Sequence, residues 1–206
     1  MAQAGQCITN PITGERITFL ETEDDTGGAH MRFDCWVPPG GVRLPPHVHR
    51  TCAEHFAVIS GTLGVMRGGR HELLRAGQCI LLPAMIAHQW WNAGDDSVRF
   101  EVTVTPPRNL EAVLEAICGM AQAGRLNGLC LPKNPFELVS FARYAESYLP
   151  AVPIWVQRGA LALFARMGAL LGYRADFAAY RRVVAPPTAL TPLIVAQSAA
   201  SERIAA

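Results

Sequence analysis

Between Ile17 and Thr105 the chain is a succession of short apolar-rich runs, "RITFLE", "HMRFDCWV", "EHFAVIS", "TLGVMRG", "RHELLRA", "CILLP", "HQWWN" and "SVRFEVTVT". Turn chemistry separates them: "PPGG" at 38–41, "SGT" at 60–62, "RGGR" at 67–70, "RAGQ" at 75–78 and "NAGDD" at 92–96. Many short strands at close spacing predict a sandwich or barrel. In the last run Val98, Phe100, Val102 and Val104 alternate with Arg99, Glu101 and Thr103. One face of that strand is therefore expected to pack and the other to be polar.

After "PPRN" at 106–109 the period lengthens. Asn109 is an N-cap candidate for a helix over "LEAVLEAICGMAQAG" that stops at Gly124. Second and third helices are expected over "PFELVSFARYAESYL" and "IWVQRGALALFARMGALLGY". In the third, Arg158, Arg166 and Arg174 recur every eight residues, which interrupts any membrane span and draws one polar stripe opposite a broad apolar face. Burial of that face against the barrel or a second subunit is expected, with peripheral membrane association through residues 154–173 as the alternative. The organisation read from the pattern is a mainly β unit at 1–106, a helical extension at 107–182 and a mobile tail at 183–206.

Composition narrows the partners. Half of the 206 residues are apolar, 17% are charged and the formal net charge is +1, so the electrostatic footprint of a nucleic-acid binder is missing and nucleic acid is not expected as a partner. Six cysteines are scattered without a CxxC pair, and "MAQAGQCITNPITG" has neither a basic nor an apolar leader region. Both features predict a reduced, cytoplasmic protein whose cysteines are small buried hydrophobes.

The candidate chemistry lies in "PPHVHRTCAEHF", residues 45–56, which holds three of the chain's six histidines and a glutamate. His47 and His49 are two apart, so on a strand their imidazoles share a face. Glu54 is at an odd offset from His49 and returns to that face only if "RTCA" turns the chain and resets the phase. The candidate fourth ligand is His88, in "LPAMIAHQWWN". His55, following Glu54, should point outward, and His30 and His71 are expected to be solvated beside turns.

The stretch Gly41–Gly61, "GVRLPPHVHRTCAEHFAVISG", resembles the first motif of the cupin superfamily: a glycine, five residues, His-x-His, a short gap, a glutamate, six residues, a glycine. Gly77–Asn92, "GQCILLPAMIAHQWWN", resembles the second through Gly77, Pro83, His88 and Asn92, with Met85 where that motif usually has glycine. The resemblance implies a single cupin barrel (a double-stranded β-helix or jelly roll) followed by the α-helical extension, with His47, His49, Glu54 and His88 as metal ligands. It also makes a homodimer paired through the sheets the default. Three imidazoles and a carboxylate suit a divalent first-row ion, iron first and otherwise manganese, nickel, cobalt, copper or zinc, and leave positions open on it.

Parity places Phe56, Val58 and Trp90 on the inward side, where they line an apolar, aromatic pocket for a small molecule or simply fill the barrel. Met85, in place of a glycine in the turn before His88, is expected in the pocket or at its rim. The activity expected on this basis is an Fe(II)-type oxygenase acting on an apolar or aromatic substrate, with Glu54 as ligand and base. A non-redox isomerase or lyase using the same ion, and a non-catalytic binding protein, are the alternatives.

Overall fold

The computed structural model describes residues 2–41 and 43–181. The expected tail at 183–206 lies outside the described residues. Eleven strands and four helices follow in chain order among them: β1 Cys7–Thr9, β2 Arg16–Glu21, β3 Met31–Val37, β4 Val48–His49, β5 Ala53–Ser60, β6 Thr62–Arg67, β7 Arg70–Arg75, β8 Cys79–Leu82, β9 His88–Asn92 and β10 Val98–Thr105, then α1 Leu110–Gln122, α2 Pro135–Tyr144, β11 Ser147–Tyr148, α3 Ile154–Leu170 and α4 Phe177–Arg181. Every strand pairing is antiparallel. One sheet runs β1-β2-β3-β10-β5-β8, a second β7-β6-β9, and β11 pairs with β4 alone.

Alternation along the strands places the core. In β3 and β10 every second residue is buried, so Met31, Phe33, Cys35 and Val37 meet Val98, Phe100, Val102 and Val104 in one apolar cluster that also takes Leu63 and Val65 of β6 and Ile80 and Leu82 of β8. The opposite face of β3 and β10 is half-exposed and pairs charges across strands, Arg99 with Asp34 at 2.7 Å and Arg32 with both Glu101 and Glu21. Such exposed pairs contribute little to stability and chiefly keep this face from packing elsewhere.

Gly61, between β5 and β6, must be glycine. Its φ is +79°, and a Cβ there would lie 2.6 Å from the Ser97 carbonyl oxygen. The hairpin thus closes directly on the start of β10.

The helices form a smaller unit with its own core, in which Val113, Ala116 and Met120 of α1 meet Phe141 of α2 and Phe177 of α4. Asn109 occupies the N-cap position of α1, but its side chain donates to the Tyr144 carbonyl oxygen and caps nothing. Asn134 is the true side-chain cap, accepting from Phe136 and Glu137 at the start of α2.

The second helix is shorter than the sequence pattern predicts. Glu146 takes a left-handed φ of +46°, the chain leaves the helix, and Ser147–Tyr148 instead pair with Val48–His49. Burial of the third helix against the barrel is also not found among the described residues: within the chain, of α3 only Gly168 is buried. All six cysteines are free thiols, and no described helix is long and apolar enough to cross a membrane.

Candidate metal centre

Three loops and strand ends bring the histidines together. His47 and His88 face each other across an antiparallel bridge, each donating its backbone N–H to the other's carbonyl oxygen at 3.0 and 2.9 Å. His49 follows on β4, and its carbonyl oxygen accepts from the Met85 N–H at 2.8 Å. The imidazole centroids are 4.5 Å apart for His47–His88, 4.9 Å for His47–His49 and 5.4 Å for His49–His88. One nitrogen from each ring falls within 4.8 Å of the other two.

Glu54 reaches the cluster because residues 50–51 bend and β5 begins afresh at Ala53. One carboxylate oxygen stands 3.6 Å from Nε2 of His49 and the other 3.5 Å from Nε2 of His88. The structure therefore brings three histidines to one point and sets Glu54 against two of them. His49, Glu54 and His88 are buried, while His47 is half-buried at the open edge.

The proton positions follow from the neighbours. Nδ1 of His88 lies 2.9 Å from the Ile86 carbonyl oxygen and Nδ1 of His47 lies 3.1 Å from that of Pro45. A carbonyl only accepts, so both Nδ1 atoms carry a hydrogen, and in a neutral ring that leaves the lone pair on Nε2. Burial pulls His47 down to about 4, helped by His49 and His88 and opposed by Glu54. His49 is pulled down to about 4 by burial and by His88. At neutral pH these rings are uncharged donors of electron pairs.

The decisive atom is Nε2 of His88, which is buried with no hydrogen-bond partner among the described residues. An orphaned lone pair in an interior costs on the order of 1–3 kcal/mol. Three imidazoles and a carboxylate at that point fit a divalent transition ion, whose coordination would satisfy it.

Residues 34–105 match the family model described as Cupin domain. The chain contains a cupin domain. Solved structures of similar fold include an RmlC-like cupin from Shewanella frigidimarina, with 20% identity, a TM-score of 0.44 and coverage of 54% of this chain and 94% of that one. Others are a protein described as a predicted oxalate decarboxylase from Thermotoga maritima (16%, TM-score 0.43, 52% and 98%) and the polyketide cyclase RemF from Streptomyces resistomycificus (24%, TM-score 0.40, 44% and 64%). No curated protein sequence matches the chain.

Around the cupin histidines, Phe56 and Val58 are fully buried in the core and Trp90 is half-buried, edge-on to both Phe56 and Phe100 at 6.4 and 5.3 Å between centroids. Hollows open on the helical side. A narrow one is lined by His49, Cys52, Arg108 and Glu146, and a wider groove of about 640 Å³ continues past Arg50, Arg108 and Arg143. His55 and His71 are exposed, and His30 is half-buried against Glu21 at 3.2 Å.

Several supports of the site have no signature in the motif. The carbonyls of Pro45 and Ile86 orient two rings, but any residue supplies a carbonyl. Gln89 is buried and donates to the Leu44 carbonyl oxygen, tying down the segment before His47; its place on β9, one residue after His88 and of opposite parity, was the available cue.

Met85 is 56% exposed and has a φ of +67°. The left-handed conformation explains why glycine suits this position and costs a side-chain-bearing residue roughly 1–2 kcal/mol. Met85→Gly is expected to raise stability by about 1 kcal/mol in urea denaturation. Metal content should be unchanged, because the N–H that bonds the His49 carbonyl oxygen remains.

Proposed function

We propose that this protein is a metal-dependent enzyme of the Fe(II) oxygenase type acting on an apolar or aromatic small molecule, with His47, His49, His88 and Glu54 holding the ion. The observation that carries the reading is the convergence of three imidazoles, one of them with a buried and unpaired nitrogen, beside a buried carboxylate. When bound, the ion supplies Lewis acidity and, if redox-active, the electrons that dioxygen chemistry needs.

The chain's own residues divide the remaining work. The Pro45 and Ile86 carbonyls hold His47 and His88 with Nε2 inward. Glu54 sets one oxygen toward each of two rings, where it balances their surroundings and can accept a proton from a substrate at Oε1 or Oε2. Phe56 and Trp90 follow Glu54 and His88 by two residues on their strands and pack with Phe100 into one apolar cluster, so the strand faces that carry the ligands continue as an apolar surface. Of the four ligands His47 is the half-exposed one, and a narrow hollow reaches His49 from the helical side.

Purified protein is expected to carry close to one equivalent of a divalent transition ion per chain by elemental analysis. His47→Ala and His88→Ala should each remove most of it; equal metal in either variant and the parent refutes the site. Oxygen uptake by the loaded protein with a panel of aromatic and aliphatic substrates then tests the oxygenase assignment, and turnover without oxygen uptake would replace it by isomerase or lyase chemistry.

A further inference from the structure

Helix α3 presents an unusual surface. It is 17 residues long and buries only Gly168. At about 100° per residue, Val156, Leu163, Met167 and Leu170 fall on one outward strip, flanked by Phe164 and Leu171. Leu163 is 60% exposed, Leu170 88% and Leu171 73%, and Trp155 in the first turn is 78% exposed. The inner side, with Leu161, Ala165 and Gly168, is the one turned to the protein: a Cβ on Gly168 would come within 2.9 Å of the Phe136 ring. The outer apolar strip is thus not the core-facing stripe of an ordinary surface helix, which would carry charges outward.

Charge selects the occupant. From 147 to 175 there is no acidic residue, whereas Arg158, Arg166 and Arg174 all fall in that stretch. Arg166 borders the apolar strip. Arg158, farther round the helix, lines a hollow of about 490 Å³ with Arg143, Tyr148, Trp155 and Glu146, whose carboxylate stands 3.8 Å from Arg50. A second copy of the chain matches this badly, since an isologous pairing of two such faces brings arginine to arginine with no carboxylate from the same segment to meet it. A surface that is apolar in depth and anionic at its boundary matches both features.

We propose that α3 is an interfacial helix that lies on anionic lipid bilayers. Its strip of Leu163, Met167 and Leu170 enters the acyl boundary, and Arg158, Arg166 and Arg174 extend to lipid phosphates. The helix is too short to span a bilayer, which takes about 20 residues, and about long enough to rest on one.

The test is flotation of the full chain with vesicles of equal parts phosphatidylglycerol and phosphatidylcholine, against phosphatidylcholine alone, with light scattering of the same proteins in solution. Binding to the anionic vesicles that weakens with salt is expected. Leu163→Glu with Leu170→Glu should abolish it, and both side chains are exposed enough that an unchanged thermal midpoint should accompany the loss. Arg158→Glu with Arg166→Glu should weaken it at least about tenfold. The proposal is overturned if the parent fails to float at low salt, if the leucine pair leaves flotation intact, or if that pair converts a dimer to a monomer, which would make the strip a subunit interface.

Discussion

Replacing Glu54 by glutamine is expected to leave the barrel folded and to lower both metal affinity and catalysis. The amide keeps the shape but removes the negative charge that faces two imidazole nitrogens at 3.5 and 3.6 Å. In a buried site a charged ligand of this kind accounts for a large part of the attraction for a divalent cation. A loss of about hundredfold in affinity is expected, read by competition with a chelating dye. Turnover per bound metal adds a second reading: if Glu54 also takes a proton, the variant loses a further factor of roughly 10²–10⁴ even when saturated with metal. Near-parental turnover at saturation would remove Glu54 from the chemistry and leave it a structural ligand.

The second large effect concerns a carboxylate far from the histidines. Glu15 is buried in the turn before β2, where burial pushes its pKa up to about 7 against a partial offset from a hydrogen bond with Thr13. The thiols of Cys35, Cys118 and Cys130 are its electrostatic neighbours, and no cation pairs with it among the described residues. A raised folded-state value means that the native protein holds a proton the unfolded chain releases. Stability is therefore undiminished below about 4.5, falls as pH rises toward 7, and stays reduced above it. The full loss is about 3 kcal/mol. Glu15→Gln should recover most of it at pH 8 and flatten the profile, as measured by urea denaturation across pH. A parallel profile in parent and variant would show that Glu15 does not carry the effect.

Most of the barrel is legible in the sequence because turn residues and period-two burial coincide there: the run "SVRFEVTVT" packs on alternate residues as its pattern demands. The strands that escape the pattern are those of two or three residues, β1, β4 and β11, too short to show a period and fixed by their partners. The histidine convergence was readable from spacing, and the return of Glu54 to it only conditionally, since it depends on a bend that the four residues between them permit without requiring. Helix α3 shows the limit of periodicity most directly. The arginines mark a stripe, but which of the remaining faces meets protein is decided by Phe136 fitting against Gly168, a contact made by tertiary packing alone. The role of Met85 follows from backbone conformation, which a methionine does not announce.

The pairing of Ser147–Tyr148 with Val48–His49 bears on the order in which the protein can be completed during synthesis. Every residue of the histidine cluster has left the ribosome once His88 emerges, yet the strand that flanks His49 is made about sixty residues later. Until then the edge of β4 that β11 covers is open, and His49 is held by its bond from the Met85 N–H without the second strand. The last strand beside His49 is thereby supplied by the helical segment, and a barrel cut free of it would carry Val48–His49 on an open edge.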